Sequence, residues 1–155
     1  MEHLTEYDLL LITDATHSMR SYLCALNISL PQIIAVSALT DAFANIGVLA
    51  YRDYYEGEIT EWSGWHGRNG TLSKDGLLDF VRGLKTASGG NIPEATKTAL
   101  ARAHSVTRSG AKTLVLLYTD APPHLKWERM GSIAVKEQDF LLGGGFDESS
   151  AKFAD

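Results

Sequence analysis

The sequence predicts an α/β fold: a mostly parallel central sheet, helices on both faces and one antiparallel edge strand. Two observations carry this. The runs YDLLLIT (7–13) and KTLVLLYT (112–119) are short and almost wholly apolar, as strands covered on both faces must be. Between and after them, strand and helix patterns follow in the order strand, helix, hairpin, helix, helix, strand, helix. Such alternation implies layers of helix on a parallel sheet, joined by right-handed crossovers. The two apolar runs are expected to be adjacent and central.

Each element follows from local chemistry. HSMRSYLCALNISLPQIIAVSALTDAFA (17–44) reads as one long helix, or as two helices meeting near Pro31, since an internal proline removes a backbone hydrogen bond. NIGVLAYRDYY (45–55) is rich in strand formers, and EITEWS (58–63) follows a Glu56–Gly57 turn, which suggests a hairpin with 58–63 at the edge. WHGRNGTLSKDG (65–76) reads as loop and DGLLDFVRGL (75–84) as a short amphipathic helix. TASGGNIPEA (86–95) is a glycine-rich loop, with Pro93 suited to the first turn of a helix over 93–106. A last helix is expected between Ser132 and LGGGF (142–146).

Composition narrows the function. A chain of 155 residues with 45% hydrophobic and 21% charged residues fits one globular domain, 1–155. A net charge of -5 argues against nucleic-acid binding. No apolar stretch is read as reaching the roughly 20 residues that span a bilayer, so no membrane insertion is expected. MEHLTEYD is too polar for a signal peptide, and Cys24 is the sole cysteine. Both features lean towards an intracellular, cytoplasmic setting. The sequons at Asn27 and Asn69 are read as incidental.

The chemistry begins where the first apolar run ends, at DATHS (14–18). In open α/β sheets, ligands bind beyond the carboxyl ends of the strands. Asp14 and Asp120 each follow a central strand, so adjacent strands would bring both carboxylates to one crevice. Thr16 and Ser18 add hydroxyls at alternate positions. Hard divalent cations take this mixture of carboxylate, hydroxyl and water. A third loop, SGGNIPE, offers Asn91 or Glu94, directly or through water.

These segments carry a resemblance. DATHS resembles the DxSxS element that opens the metal-ion-dependent adhesion site of von Willebrand factor A domains. LVLLYTDAPPH is similar to the strand bearing that site's last aspartate, SGGNIPEA to its glycine-rich middle loop, and VLAYRDYYEG to a segment of the alpha-kinase-type members. The likeness runs from about residue 7 to about 125. It implies a Rossmann-like three-layer sandwich that binds a protein partner through Mg2+, or Mn2+ or Ca2+. By position, Asp14, Thr16, Ser18 and Asp120 match the metal site. Thr16 replaces the more usual serine, and Asn91 or Glu94 stands in place of the middle-loop threonine. The partner would present an Asp or Glu to the ion. Two more strands are expected after Asp120, yet about 35 residues follow. Either the domain is truncated or its sheet is completed elsewhere.

Plainer readings stand beside these. Asp14 alone could be a helix N-cap, Asn91 a turn residue, and Glu94 an acid in a first helical turn. His17 and His124 could join Asp14 in a zinc site, or be ordinary loop histidines. Tyr54, Tyr55, Trp62 and Trp65 could form a partner-binding patch or pack on the sheet edge. Arg52 and Asp53 could pair with each other's neighbours or orient a partner, a structural pair being the plainer reading.

An enzyme is the lesser expectation. A haloacid-dehalogenase-like phosphatase needs an acid two residues after its nucleophile, where Thr16 stands. GxxxxGK[ST] and GxSxG are absent. A metal-dependent hydrolase of Rossmann-like fold and a structural assembly domain with a vestigial site are the alternatives.

Overall fold

The computed structural model describes residues 5–54, 58–67, 74–87, 94–125 and 131–154. Strand β1 (Glu6–Asp14) leads through a 3-10 turn (His17–Met19) into helix α1 (Arg20–Thr40). Strands β2 (Asn45–Tyr51), β3 (Thr60–Trp62) and β4 (His66–Gly67) follow, then helices α2 (Lys74–Gly83) and α3 (Thr96–Val106). Strand β5 (Ala111–Tyr118), helix α4 (Gly131–Leu142) and a second 3-10 segment (Glu148–Phe153) complete the order.

The sheet runs β3-β2-β1-β5, with β4 also paired to β2. β1 is parallel to β2 from Asp8↔Asn45 to Asp14↔Tyr51, and parallel to β5 from Glu6↔Ala111 to Thr13↔Tyr118. β3 and β4 are antiparallel to β2. The α/β three-layer sandwich, the adjacency of the two apolar runs and the antiparallel edge are as the sequence predicts.

Alternation along β1 builds both cores. Leu9 and Leu11 pack with Ile46 and Val48 under α1 and α2, through Leu26, Leu30, Leu77 and Val81. Leu10 and Ile12 point the other way, with Leu49 and Tyr51, against Ala99 and Ala103 of α3. Gly47 has a positional reason: a Cβ there would collide with the Trp62 ring.

Four expectations need correction. Among the described strands β5 is not central; it ends the sheet order and is exposed along most of its length. Of the two readings of 17–44 the single long helix holds: α1 runs through Pro31, with Leu26, Leu30 and Ile34 in the core on both sides of it. It stops at Asp41, in the left-handed conformation with φ 56°. α3 starts at Thr96, three residues past Pro93, and β4 lies in the expected loop 65–76. Finally, His17–Thr40 does contain a window long and apolar enough to cross a membrane by length and composition. One such helix is weak evidence, and its Leu23, Leu26, Leu30 and Ile34 side chains are buried in the core.

At its amino end β1 carries a buried acid that is fully answered. Asp8 accepts hydrogen bonds from Arg108 Nε at 2.8 Å, Arg108 Nη2 at 3.0 Å and Asn45 Nδ2 at 2.9 Å. Removing one member of a buried ion pair strands the other charge, typically at a cost of about 3–5 kcal/mol. Arg108→Leu is therefore expected to lower unfolding free energy by roughly 3 kcal/mol, read as a reduced urea midpoint with an unchanged m-value. A loss below about 0.5 kcal/mol would show that Asp8 finds another partner.

Candidate metal centre

Parallel pairing brings the carboxyl ends of β1, β2 and β5 together, and with them the segments after Asp14, Tyr51 and Tyr118. Backbone bonds tie these loops to each other. Ala15 N donates to Tyr51 O at 2.8 Å, and Ala87 N to Ala15 O at 3.1 Å, which makes a bridge between Thr16 and Ala87. Glu94 N donates to Pro122 O at 3.1 Å, bridging Glu94 to Pro123. The loop after β1 thus meets Ala87, and Glu94 meets the loop after β5.

The predicted residues come together in part. Asp14 Oδ1 accepts from Thr16 N at 2.7 Å. Asp14 thus closes a local turn; the 3-10 segment has Thr16 at its N-cap, with no side-chain capping bond. Thr16 Oγ1 lies 3.4 Å from Ser18 Oγ, which donates to Asp120 Oδ1 at 3.2 Å. Asp14 and Thr16 are buried, whereas Ser18 and Asp120 are exposed, so the group runs from the sheet interior to solvent. Asn91 and Tyr55 lie outside the described residues. Glu94 does not sit in a helical turn; it precedes α3 and is only 4% exposed.

One further acid belongs here. Asp53, two residues beyond β2, is 3% exposed. Its Oδ1 accepts from Tyr54 N at 2.8 Å and lies 3.2 Å from His124 Nε2, without hydrogen-bond alignment. Arg52 takes structural partners, Glu61 and Lys85 O, whereas Asp53 faces His124. The available signal was the position: an acid just past a strand parallel to β1 must face the same crevice.

The electrostatics are unbalanced. Asp14 Oδ2, Asp53 Oδ2 and Glu94 Oε2 are buried with no hydrogen-bond partner. Burial pushes the carboxyls of Asp14 and Asp53 above the usual range, despite their backbone hydrogen bonds. Glu94 rises to about 8, first from burial and then from repulsion by Asp14, Asp53 and Asp120. Unanswered buried carboxylate oxygens are costly, and a divalent cation would answer them. Among the described residues, no group of three or more His, Cys, Asp or Glu side chains could hold a metal ion. A site here must therefore use the hydroxyls of Thr16 and Ser18 and water beside its carboxylates. His17 is exposed, and His124 Nε2 lies buried beside Asp53 with no hydrogen-bond partner.

Of the four aromatic residues of the expected patch, Tyr54, Trp62 and Trp65 are described, and each has contacts within the fold. Trp62 and Trp65 meet edge to face at 5.2 Å over the α3-side core, and Trp65 Nε1 donates to Val106 O at 2.8 Å. Tyr54 bonds Thr98 Oγ1 at 2.8 Å through its hydroxyl. A cavity of about 360 Å3 lies at the opposite end of β2, lined by Phe43, Asn45 and His66 among others, and takes no part in this centre.

Comparison with known proteins places the chain beside much longer ones. No family model matches. A putative ariadne-like RING finger protein of Acanthamoeba polyphaga mimivirus is 39% identical over 144 residues, which is 92% of this chain and 14% of that protein. The pilus adhesin SpaC of Lactobacillus rhamnosus GG shares the fold, with a TM-score of 0.62 at 15% identity. Its open conformation gives 0.56 at 19% identity. Each superposition covers 79% of this chain and 16% of the adhesin. The chain thus spans about a seventh of the curated relative and about a sixth of the adhesin.

The acid cluster predicts a pH dependence. Glu94 binds its proton more tightly folded, near 8, than unfolded, near 4.5. The folded state therefore holds more protons in that window, and stability must fall as pH rises through it. Metal-free protein should melt at progressively lower temperature from pH 5 towards pH 8, and Glu94→Gln should flatten the slope. A variant with the wild-type slope would locate the titration elsewhere.

Proposed function

We propose that the chain is a divalent-metal-dependent protein-interaction module. Its ion would be held by Asp14, Thr16, Ser18 and Asp120, with Glu94 or Asn91 from the middle loop and Asp53 behind Asp14. The observation that carries this reading is the set of buried, unanswered oxygens on Asp14, Asp53 and Glu94. They border a chain of hydroxyls that ends at an exposed aspartate. The resemblance of DATHS and YTDAPPH to an adhesion-type metal site supports it independently.

Mg2+ fits such a donor set best, being a hard cation that keeps several waters. When bound, the ion supplies a Lewis-acidic position for an oxygen ligand. This chain's residues do the rest. Asp14 and Glu94 neutralise the buried side, and Ser18 and Asp120 mark the solvent side. An ion reached by most of these carboxylates through water would keep an open position for an acidic side chain from a protein partner. Neither a nucleophile with a paired base nor a phosphate-cradling loop is apparent in the sequence, so binding is favoured over hydrolysis. The match to one segment of a much longer relative agrees with a recruiting module.

Magnesium titration followed by thermal shift tests the ion. At a hundredfold excess over Kd, a specific ion adds about 2.7 kcal/mol to stability. Wild type should show that gain, while Asp14→Asn and Asp120→Ala should show almost none. Equal shifts in all three would disprove the site. Asp53→Asn should weaken the ion about tenfold if its carboxylate orients a metal-bound water.

Partner capture should in turn be lost on chelation and on replacing the partner's acid by alanine. A partner indifferent to both treatments would place recognition on another surface. Generic aryl phosphates should show no metal-dependent turnover, and appreciable turnover would favour the hydrolase reading.

A further inference from the structure

Helix α3 begins with a gap that the chain fills from a distance. Its N-cap residue, Ala95, makes no side-chain capping bond, although the first-turn N–H groups of a helix need acceptors. Glu137 of α4 supplies one. Its Oε1 accepts from Thr98 N and from Thr98 Oγ1, both at 2.8 Å. The acid comes from 39 residues away and is 1% exposed. Its Oε2 has no hydrogen-bond partner. Burial raises the carboxyl above its usual range, against the pull of the two Thr98 bonds. A serine, threonine or aspartate at position 95 would cap the helix locally without burying a carboxyl. Capping alone therefore does not account for Glu137.

What the acid adds is a connection. Thr98 Oγ1 gives its hydrogen to Glu137, so it must accept from the Tyr54 hydroxyl, 2.8 Å away. Tyr54 is held a second time by α4, where the Phe140 ring meets its own edge to face, centroids 6.3 Å apart. Glu137 and Phe140 are three residues apart on one helix and so share a face. The backbone of Tyr54 in turn sets Asp53, because Tyr54 N donates to Asp53 Oδ1 at 2.8 Å. On the other branch, the first turn of α3 fixes Glu94, whose carbonyl accepts from Thr96 N at 2.8 Å. One buried carboxylate thus ties α4 to the segments that bear Asp53 and Glu94.

Both acids need holding. Asp53 Oδ2 and Glu94 Oε2 are buried and unanswered. Desolvation and the neighbouring acids favour moving either carboxylate out of the crevice towards water. A set of ion ligands works only if its supporting residues keep it in place beforehand. The geometry points to Glu137 as a positioning residue of the candidate metal centre, a strut from α4 that holds Asp53 and Glu94 in the crevice through Thr98 and Tyr54. It acts through hydrogen bonds and not as a ligand. This role rests on the ion site proposed above, but the strut itself does not require the ion.

Amide hydrogen exchange on the metal-free chain reads the strut, and magnesium titration reads its effect on the ion. Glu137→Met removes the acceptor with little change in side-chain length. It should speed exchange at Thr98 and, through the Thr98–Tyr54 link, at Tyr54, each by about fivefold beyond any change at the amides of β1. Magnesium affinity should fall roughly tenfold. Glu137→Gln keeps a carbonyl oxygen that can accept both bonds and should restore exchange and affinity nearly to wild type. Arg108→Leu, which destabilises the opposite end of β1, should leave magnesium affinity unchanged. Should Glu137→Met fail to fold, Thr98→Val decides in its place, since it cuts the hydroxyl link and keeps the Thr98 N–H bond. Tyr54 exchange that changes only as much as that of β1 reduces Glu137 to a helix cap and overturns the proposal. A glutamine variant as impaired as methionine overturns it too, as does unchanged magnesium affinity in Glu137→Met. A wild type that takes no magnesium would instead remove the ion site, and the positioning role with it.

Discussion

The structure depends on burying β1 completely while both its ends carry an acid. A strand at the centre of a three-layer sandwich can leave no polar group unanswered without cost. At the amino end the cost is met within the chain. Arg108 grips Asp8 with two nitrogens, and Asn45 adds a third donor from β2. At the carboxyl end no cation among the described residues plays that part. Asp14 receives one backbone bond, from Thr16, and its second oxygen is left alone. The two ends of one strand therefore obey one rule with opposite outcomes, and the unsatisfied end is the one that can do chemistry.

Parallel pairing multiplies this imbalance. Because β1, β2 and β5 end together, any acid just beyond them enters a shared crevice. Asp53 follows β2 and Asp120 follows β5, and the loop before α3 brings Glu94. Repulsion among these groups, added to burial, holds Glu94 protonated near neutrality. A cation, or a proton in its absence, is what such a cluster requires. Strained electrostatics of this sort are tolerated at binding sites, where a ligand completes them.

The fold is uneven in cover. On the β2 side, antiparallel β3 and β4, the two tryptophans and α2 close the edge. On the β5 side, a strand of interior character faces outward next to a helix apolar on most of its circumference. Solvated leucines on both faces of one strand mean that the hydrophobic strip is wider than what these residues cover. The acid cluster and the apolar strand therefore sit on different parts of the same sheet.

Much of this was legible in the sequence, because hydrophobic period and turn chemistry are local. The runs 7–13 and 112–119, the hairpin edge at 58–63 and the acids that terminate the strands follow from neighbours a few residues apart. Asp14, Thr16, Ser18 and Asp120 stood out for the same reason. Other features depend on contacts far along the chain. An apolar run says that a strand wants cover on both faces, not whether it receives it, so β5 read as central. Pro31 left one helix or two open, and anchoring of α1 on the core carries the helix through it. Asp53 enters Asp14's crevice only because β2 lies parallel to β1. Residue chemistry thus determined which groups could bind an ion and which strands were apolar. Tertiary structure decided which acids share a crevice and which strand stays open, because burial and charge repulsion are set by neighbours in space.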